Sequence, residues 1–222
     1  MVDLVIFDCD GVLIDSELLS VRADAASFSE VGIAITAEEI SERYSGLSHS
    51  EMLADVAARY GPSLPPNFRE RHRRRLREIF EAELVAIAGV DAVLDALARP
   101  VCVASSSSPE RLYHALSLVG LYDRFAPNVF SARMVARGKP APDLFLYAAA
   151  QMGAAPERCL VIEDSLAGVE AAGAAGMTAI EFCGGSHCRP GHADRLRERG
   201  GALVIAGMAE LTPAIHRLSR PP

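Results

Sequence analysis

The chain has 222 residues, half of them hydrophobic and 23% charged, which is enough apolar side chain for a buried core and excludes a disordered chain. With 22 Lys plus Arg against 29 Asp plus Glu the net charge is −7, so the molecule as a whole repels nucleic acid and anionic lipid, and any positive site must be local. No stretch approaches the ~18 uninterrupted apolar residues of a membrane helix, and a soluble, cytoplasmic protein is expected, either monomer or homodimer.

The first element is Val2–Asp8, an apolar run that reads as a buried parallel strand rather than a secretion signal, since it lacks a basic start and a small-residue cleavage site. The next strand-like run, Val101–Ser105, comes about 90 residues later, where a single crossover helix would need far fewer. Between them lie helix starts but no convincing strand. Thr36-x-x-Glu39 and Ser48-x-x-Glu51 both match the capping box. An all-helical domain of residues 16–86 is therefore expected, entered near Asp15 and left near Gly89, inserted into a core of residues 1–15 and 87–222. Its run Arg69–Arg77 is densely basic. It reads as a solvated helix face with acidic neighbours, or as a source of arginines for a substrate carboxylate or second phosphate.

Beyond Ser105, the helical patterns Pro109–Val119, Asp143–Met152 and Leu166–Ala175 alternate with the strand-like runs Leu160–Glu163, Thr178–Phe182 and Leu203–Ala206. That alternation predicts an α/β core with a doubly wound parallel sheet. The C-terminal Arg220-Pro221-Pro222 is expected to fray. Three of the five cysteines, Cys9, Cys102 and Cys159, fall in apolar strand-like runs and suit a reducing compartment. Cys183, His187, Cys188 and His192 bring four soft or borderline ligands together, but their spacing fits none of the common zinc patterns, and with Gly184, Gly185 and Gly191 the segment reads as a Gly-rich loop.

In an open parallel sheet, ligands bind beyond the carboxyl ends of the strands. Strand one ends in Asp8-Cys9-Asp10-Gly11, strand two in Ser105-Ser106 and a later strand in Glu163-Asp164, while Gly138-Lys139-Pro140 precedes a helix. Carboxylates gathered at one point raise each other's pKa and oppose folding unless a cation joins them. A hard divalent ion with oxygen ligands, together with Lys139, would turn the cluster into a place for a phosphate dianion.

These pieces carry a resemblance. Asp8-Cys9-Asp10-Gly11-Val12-Leu13-Ile14-Asp15-Ser16-Glu17, Ser105, Gly138-Lys139-Pro140-Ala141-Pro142-Asp143 and Val161-Ile162-Glu163-Asp164-Ser165-Leu166-Ala167-Gly168 resemble, in order, the motifs of haloacid dehalogenase superfamily phosphatases. The match spans essentially the whole chain, including a helical cap inserted after the first strand. It implies a Mg²⁺-dependent phosphohydrolase acting on a small phosphorylated metabolite through an aspartyl-phosphate, with Asp8 as nucleophile and Asp10 as acid and base. It implies Mg²⁺ held by the Asp8 carboxylate, the Asp10 carbonyl and the Asp164 carboxylate, with Glu163 a ligand or a partner one step removed. Ser105, Ser106 and Lys139 would hold the phosphoryl oxygens, and Gly11 would let the backbone approach them. The dehalogenases of the superfamily attack carbon without a metal, and the Asp-x-Asp-Gly pattern sets that chemistry aside.

Within the superfamily, the sugar-phosphate phosphatases and the β-phosphoglucomutases share this cap type. A mutase histidine soon after the first motif is replaced here by Leu19-Ser20, and a cap arginine near Gly46-Leu47-Ser48-His49 by His49, which favours hydrolysis. The implied substrate is a sugar or sugar-acid monophosphate such as 6-phosphogluconate, with Glu17 and His49 as cap candidates to touch it. Gly46 and the connectors near Asp15 and Gly89 suggest a cap that opens and closes. The runner-up in this class is a mutase-like phosphotransferase. A receiver-like phosphoacceptor module is the alternative from another class, but there the acidic pair precedes the acceptor aspartate and no helical domain interrupts the first crossover.

Overall fold

The structure is a computed structural model that describes residues 2–44, 49–61, 64–188, 191–198 and 203–218. In chain order, strand β1 is Leu4–Phe7, followed by helices α1 (Glu17–Ser29), α2 (Ala37–Tyr44), α3 (His49–Tyr60), α4 (Phe68–Glu83) and α5 (Val90–Ala96). Then come β2 (Val101–Ser105), α6 (Pro109–Leu118), α7 (Tyr122–Phe125), β3 (Val129–Ser131), α8 (Asp143–Gln151), β4 (Cys159–Glu163) and α9 (Leu166–Ala174). The chain closes with β5 (Thr178–Phe182), α10 (His192–Glu198), β6 (Leu203–Ile205) and α11 (Leu211–Leu218).

Two compact units result, one of residues 1–15 with 85–222 and one of residues 16–84. In the first, the strands form a parallel sheet in the order β3-β2-β1-β4-β5-β6, which is the α/β architecture expected from the alternating pattern. Leu4–Phe7 and Cys159–Glu163 are buried throughout, as strands covered on both faces must be, and their continuous apolar runs follow from that. Leu4, Ile6, Cys102, Val161 and Phe145 share one core cluster on one side of the sheet. The chain runs outward from β1 to β2 and β3, then returns to β4 on the other side of β1. That reversal makes β1 and β4 the switch point, beyond whose carboxyl ends a crevice forms. Phe7 pairs with Ile162, so Asp8 and Glu163 emerge there side by side.

The first unit also contains the ribbon through which the chain leaves for residues 16–84 and comes back. Asp15 donates its N–H to the Val85 carbonyl at 3.0 Å, Ile87 donates to Leu13 at 2.9 Å, and Ile14 bridges Ala86 in antiparallel sense.

The second unit is helical and has its own apolar cluster, built from Phe28, Ile33, Ile35, Ile40, Tyr44, Met52, Leu53, Val56 and Phe68. The expected capping box at α2 is present in both directions: Thr36 N–H donates to Glu39 Oε2 at 2.9 Å and Glu39 N–H to Thr36 Oγ1 at 3.1 Å. The second box begins at Ser48, and Ser48, Gly46, Leu47 and Arg220–Pro222 lie outside the described residues. In α4, Phe68, His72, Leu76 and Phe80 recur every four residues and are buried, which leaves Arg69, Arg73, Arg74 and Arg77 exposed. Arg71 and Arg75 both pair with Glu30, which follows α1. Much of the basic run is thus a helix face with acidic neighbours.

Several elements escaped the sequence pattern, the short helices α5, α7 and α11 among them. Strand β3 has only three residues, too few to show a period. Helix α10 begins at His192, inside the segment read as a Gly-rich loop.

Candidate active site

Asp8 follows β1 directly, and its backbone N–H is fixed by the Ile162 carbonyl at 2.9 Å. The Lys139 ammonium lies beside it with a 4% exposed side chain. Its three hydrogens match three acceptors: Asp8 Oδ1 at 2.6 Å, Glu163 Oε1 at 2.6 Å and the Ala104 carbonyl at 2.9 Å. One lysine therefore ties together the ends of β1, β2 and β4. Burial works against its charge, but Asp8 and Glu163 outweigh that and hold its pKa above the ordinary value. For Asp8 the balance goes the other way. Burial pushes its pKa well up, Lys139 pulls it down, and Glu163, Asp164 and Asp10 push it up again.

Glu163 is saturated with donors. Its Oε1 takes Lys139, while Oε2 takes the N–H groups of Asp164 (3.0 Å) and Ser165 (2.9 Å) and the Ser165 hydroxyl (2.9 Å). Ser165 Oγ in turn accepts from Gly168 N–H at 3.1 Å and caps α9. Gly168 is obligatory in this packing, because a Cβ there would stand 1.8 Å from Glu163 Cδ. Gly11, at φ +77°, has the same kind of reason: a Cβ would fall 1.9 Å from Asp164 Oδ2. The glycine of the first motif admits the acid of the last.

Asp10 accepts from Arg111 Nη2 on one oxygen and from the Ser107 hydroxyl on the other, each at 2.7 Å. Ser105 is buried and its Oγ accepts the Ser107 N–H at 3.1 Å, and Ser131 at the end of β3 donates to the Ser107 carbonyl at 2.6 Å. Ser106 is exposed. The hydroxyl that meets Asp10 belongs to its neighbour. Ser107 and Arg111 were not singled out from sequence, although both lie within a turn of the Ser108 cap that starts α6.

Asp164 is held from two sides by the segment after β5. His187 Nε2 is 2.9 Å from its Oδ2, and His192 Nε2 is 2.8 Å from its backbone carbonyl. Burial raises the Asp164 pKa and His187 opposes the rise. Ser186, through its N–H at 3.1 Å and its hydroxyl at 2.8 Å, donates to Asp15 Oδ1, so the same segment is anchored to the exit of the first motif.

Carboxylate oxygens of Asp8, Glu163 and Asp164 lie within 4.8 Å of one another, all buried. An all-oxygen set with net negative charge, two of whose members have raised pKa values, fits a hard divalent cation such as Mg²⁺. Because Glu163 already receives four hydrogen bonds, Asp8 and Asp164 are the carboxylates suited to direct ligation.

Two candidates, Glu17 and His49, are residues of the helical unit. Glu17 opens α1 and is half-buried. His49 opens α3, and its Nε2 lies 3.3 Å from Asp24 Oδ1, the oxygen that His72 approaches at 2.7 Å. The two imidazoles stack at 4.5 Å. The distances would suit hydrogen bonds but the alignment does not, so these are close contacts that become ion pairs when a ring is protonated. Burial would raise the Asp24 carboxyl, yet the two histidines hold it below the usual carboxylate range. Neither Asp24 nor His72 was marked in the sequence, where His72 is hidden among arginines.

The model of the haloacid dehalogenase-like hydrolase family matches residues 2–176. The chain belongs to that family. Haloacid dehalogenase-like relatives resemble it over nearly its full length. A 6-phosphogluconate phosphatase of Escherichia coli K12 is 34% identical over 190 residues, 85% of this chain and 86% of that protein. A conserved haloacid dehalogenase-like protein of unknown function from Agrobacterium tumefaciens is 39% identical, with a TM-score of 0.87 over 99% of this chain and 100% of that one. A haloacid dehalogenase family hydrolase from Deinococcus radiodurans, solved with bound phosphate and sodium, is 33% identical with a TM-score of 0.79, covering 97% and 96% of the two chains. This haloacid dehalogenase-like hydrolase is a phosphatase, acting on phosphoric monoesters.

Proposed function

We propose that the protein is a Mg²⁺-dependent phosphatase of sugar or sugar-acid monophosphates, 6-phosphogluconate among them, that works through an aspartyl-phosphate at Asp8. The observation that carries this reading is the Lys139 ammonium shared between Asp8 and Glu163 beside Asp164: a buried nucleophile, a fixed positive charge and a cation-demanding acid in one crevice. The similar E. coli enzyme supports the choice of substrate class.

The Asp8 carboxylate oxygen attacks phosphorus while the bond from phosphorus to the ester oxygen breaks, and the departing alkoxide takes a proton from Asp10. Asp10, now a carboxylate, takes a proton from water as that water's oxygen attacks the same phosphorus. Inorganic phosphate leaves and Asp8 is restored. Lys139 and Ser105 hold phosphoryl oxygens, and Arg111 and Ser107 orient Asp10 between its two tasks. When bound, Mg²⁺ supplies the charge that lets a phosphate dianion approach the acids, with Asp8, Asp164 and the Asp10 carbonyl to hold it. In this reading residues 16–84 are the cap, with Glu17, His49 and the exposed arginines of α4 as its means of telling substrates apart. The location is the cytoplasm, where the buried thiols of Cys9, Cys102 and Cys159 stay reduced.

The test is phosphate release from a panel of phosphorylated sugars and sugar acids, with and without Mg²⁺, using Asp8→Asn as control. Metal-dependent release that is strongest on a sugar acid and vanishes in the variant is expected. Release that survives Asp8→Asn would overturn the aspartyl-phosphate, and interconversion of sugar phosphates without phosphate release would move the protein to the mutases.

A further inference from the structure

Three metal-binding side chains outside the acidic crevice converge in the segment that follows β5. Cys183 is the first residue after that strand, and its N–H is fixed by the Ile205 carbonyl at 2.8 Å. The chain then turns back on itself: Cys188 N–H donates to the Gly185 carbonyl at 3.0 Å, and Cys188 Sγ lies 3.5 Å from His187 Nε2. His192, at the start of α10, completes the group. Ligand atoms of Cys183, Cys188 and His192 all lie within 4.8 Å of one another, and all three residues are half-buried.

Tetrahedral zinc, with bonds of about 2.3 Å to sulfur and 2.0–2.1 Å to nitrogen, sets its ligand atoms roughly 3.5–3.8 Å apart. The 4.8 Å that bounds these three atoms exceeds that spacing by about 1 Å. A second observation points the same way. A ligating histidine characteristically donates its other ring N–H to a carbonyl or carboxylate, which fixes the ring and raises its basicity. The His192 ring has such a partner in the Asp164 carbonyl, with Nε2 at 2.8 Å. The donor set, two sulfurs and one imidazole, is also unlike the oxygen-only crevice, so the two sites select different ions.

We propose that Cys183, Cys188 and His192 form a binding site for a thiophilic divalent ion of the zinc class, with a fourth position open to water or an external ligand. Binding displaces the thiol protons and leaves both sulfurs as thiolates on the ion. Through His192 the site is coupled to the backbone of Asp164, so its occupancy bears on the acid of the crevice.

The experiment uses the full chain, stripped of metal and kept reduced with a phosphine, titrated with Co²⁺ in millimolar Mg²⁺. Co²⁺ bound by thiolate gives a near-ultraviolet charge-transfer band that oxygen or nitrogen ligands do not produce. The band is expected to saturate at one equivalent, to bleach when Zn²⁺ is added, and to lose at least about half its intensity in each of Cys183→Ser and Cys188→Ser. His192→Gln should weaken Co²⁺ binding by at least about tenfold. Absence of the band in the parent protein, or its undiminished intensity in Cys188→Ser, would overturn the site. Should Cys188→Ser misfold, Cys183→Ser at the strand end carries the same test. Mg²⁺-dependent phosphate release by the two serine variants is a separate reading, so this inference and the phosphatase assignment can fail independently.

Discussion

Replacing Gly168 by alanine should destabilise the protein although the position is helical. By intrinsic propensity, Gly→Ala inside a helix gains up to about 1 kcal/mol. At Gly168, however, the new Cβ would meet Glu163 Cδ at 1.8 Å, Oε1 at 1.9 Å and Oε2 at 2.3 Å. Glu163 is 1% exposed and cannot swing aside without releasing Lys139 and the N–H groups of Asp164 and Ser165. Breaking a buried charge pair costs ~3–5 kcal/mol, so the net loss should be ~2–4 kcal/mol. In a chain of this size that corresponds to a fall of roughly 4–16 °C in Tm. Gly173, in the same helix, has open space where a Cβ would go, with nothing within 4 Å, and there Gly→Ala should stabilise by about 0.5–1 kcal/mol. Urea and thermal unfolding of the two variants side by side gives the answer. If Gly168→Ala behaved like Gly173→Ala, Glu163 would not be locked, and the account of Lys139 as a shared buried cation would fall with it.

Thr36→Ala removes one arm of the capping box at α2 and should cost about 1 kcal/mol in urea unfolding of the helical unit. Asp24→Asn takes the charge from between His49 and His72 and should cost ~1–3 kcal/mol at neutral pH. Since the folded carboxyl is held below its unfolded value of 3.8, that contribution is full above this pH and disappears as the pH falls through the depressed folded value. Unfolding curves of variant and parent should therefore converge in acid, and a difference that persisted there would refute the ion-pair reading. His187→Gln removes the imidazole from Asp164 Oδ2 and should weaken Mg²⁺ binding, measured by calorimetry, by about 10- to 100-fold while the fold is retained.

The parts of the site that were readable from sequence are those that terminate strands. Asp8, Asp10, Glu163 and Asp164 each follow an apolar β run, and such a run fixes both the element and the end at which its acid emerges. Lys139 was readable through its Gly-Lys-Pro setting. What sequence left open was partnership. Nothing local says that Lys139 reaches Glu163 as well as Asp8, or that Glu163 accepts so many donors that it becomes a brace for the lysine. Arg111 and Ser107 reach Asp10 only because α6 starts where β2 ends, a relation across about 100 residues of chain that no period reveals. His187 and His192 look like loop residues until β5 is placed beside β4, when both fall on Asp164. The helical insertion was legible from the long gap between strands one and two, whereas Asp24 and His72 were invisible in it, one in a helix whose buried residues mix polar with apolar and the other within a run of arginines.

The ribbon at the exit from β1 has a consequence for how such a protein can change. Asp15 and Val85 are joined by a single backbone hydrogen bond, and Leu13, Ile14, Ala86 and Ile87 pair behind them. The two cut points of the insertion are therefore neighbours, and the 69 residues of 16–84 depart from and return to essentially one place. A segment attached in this way can lengthen, shorten or be exchanged for another without altering the register of any strand in the sheet. Change in that module can leave Asp8, Lys139 and Asp164 in their positions, and a grafted insertion from a relative would need to match the host only at this two-stranded neck.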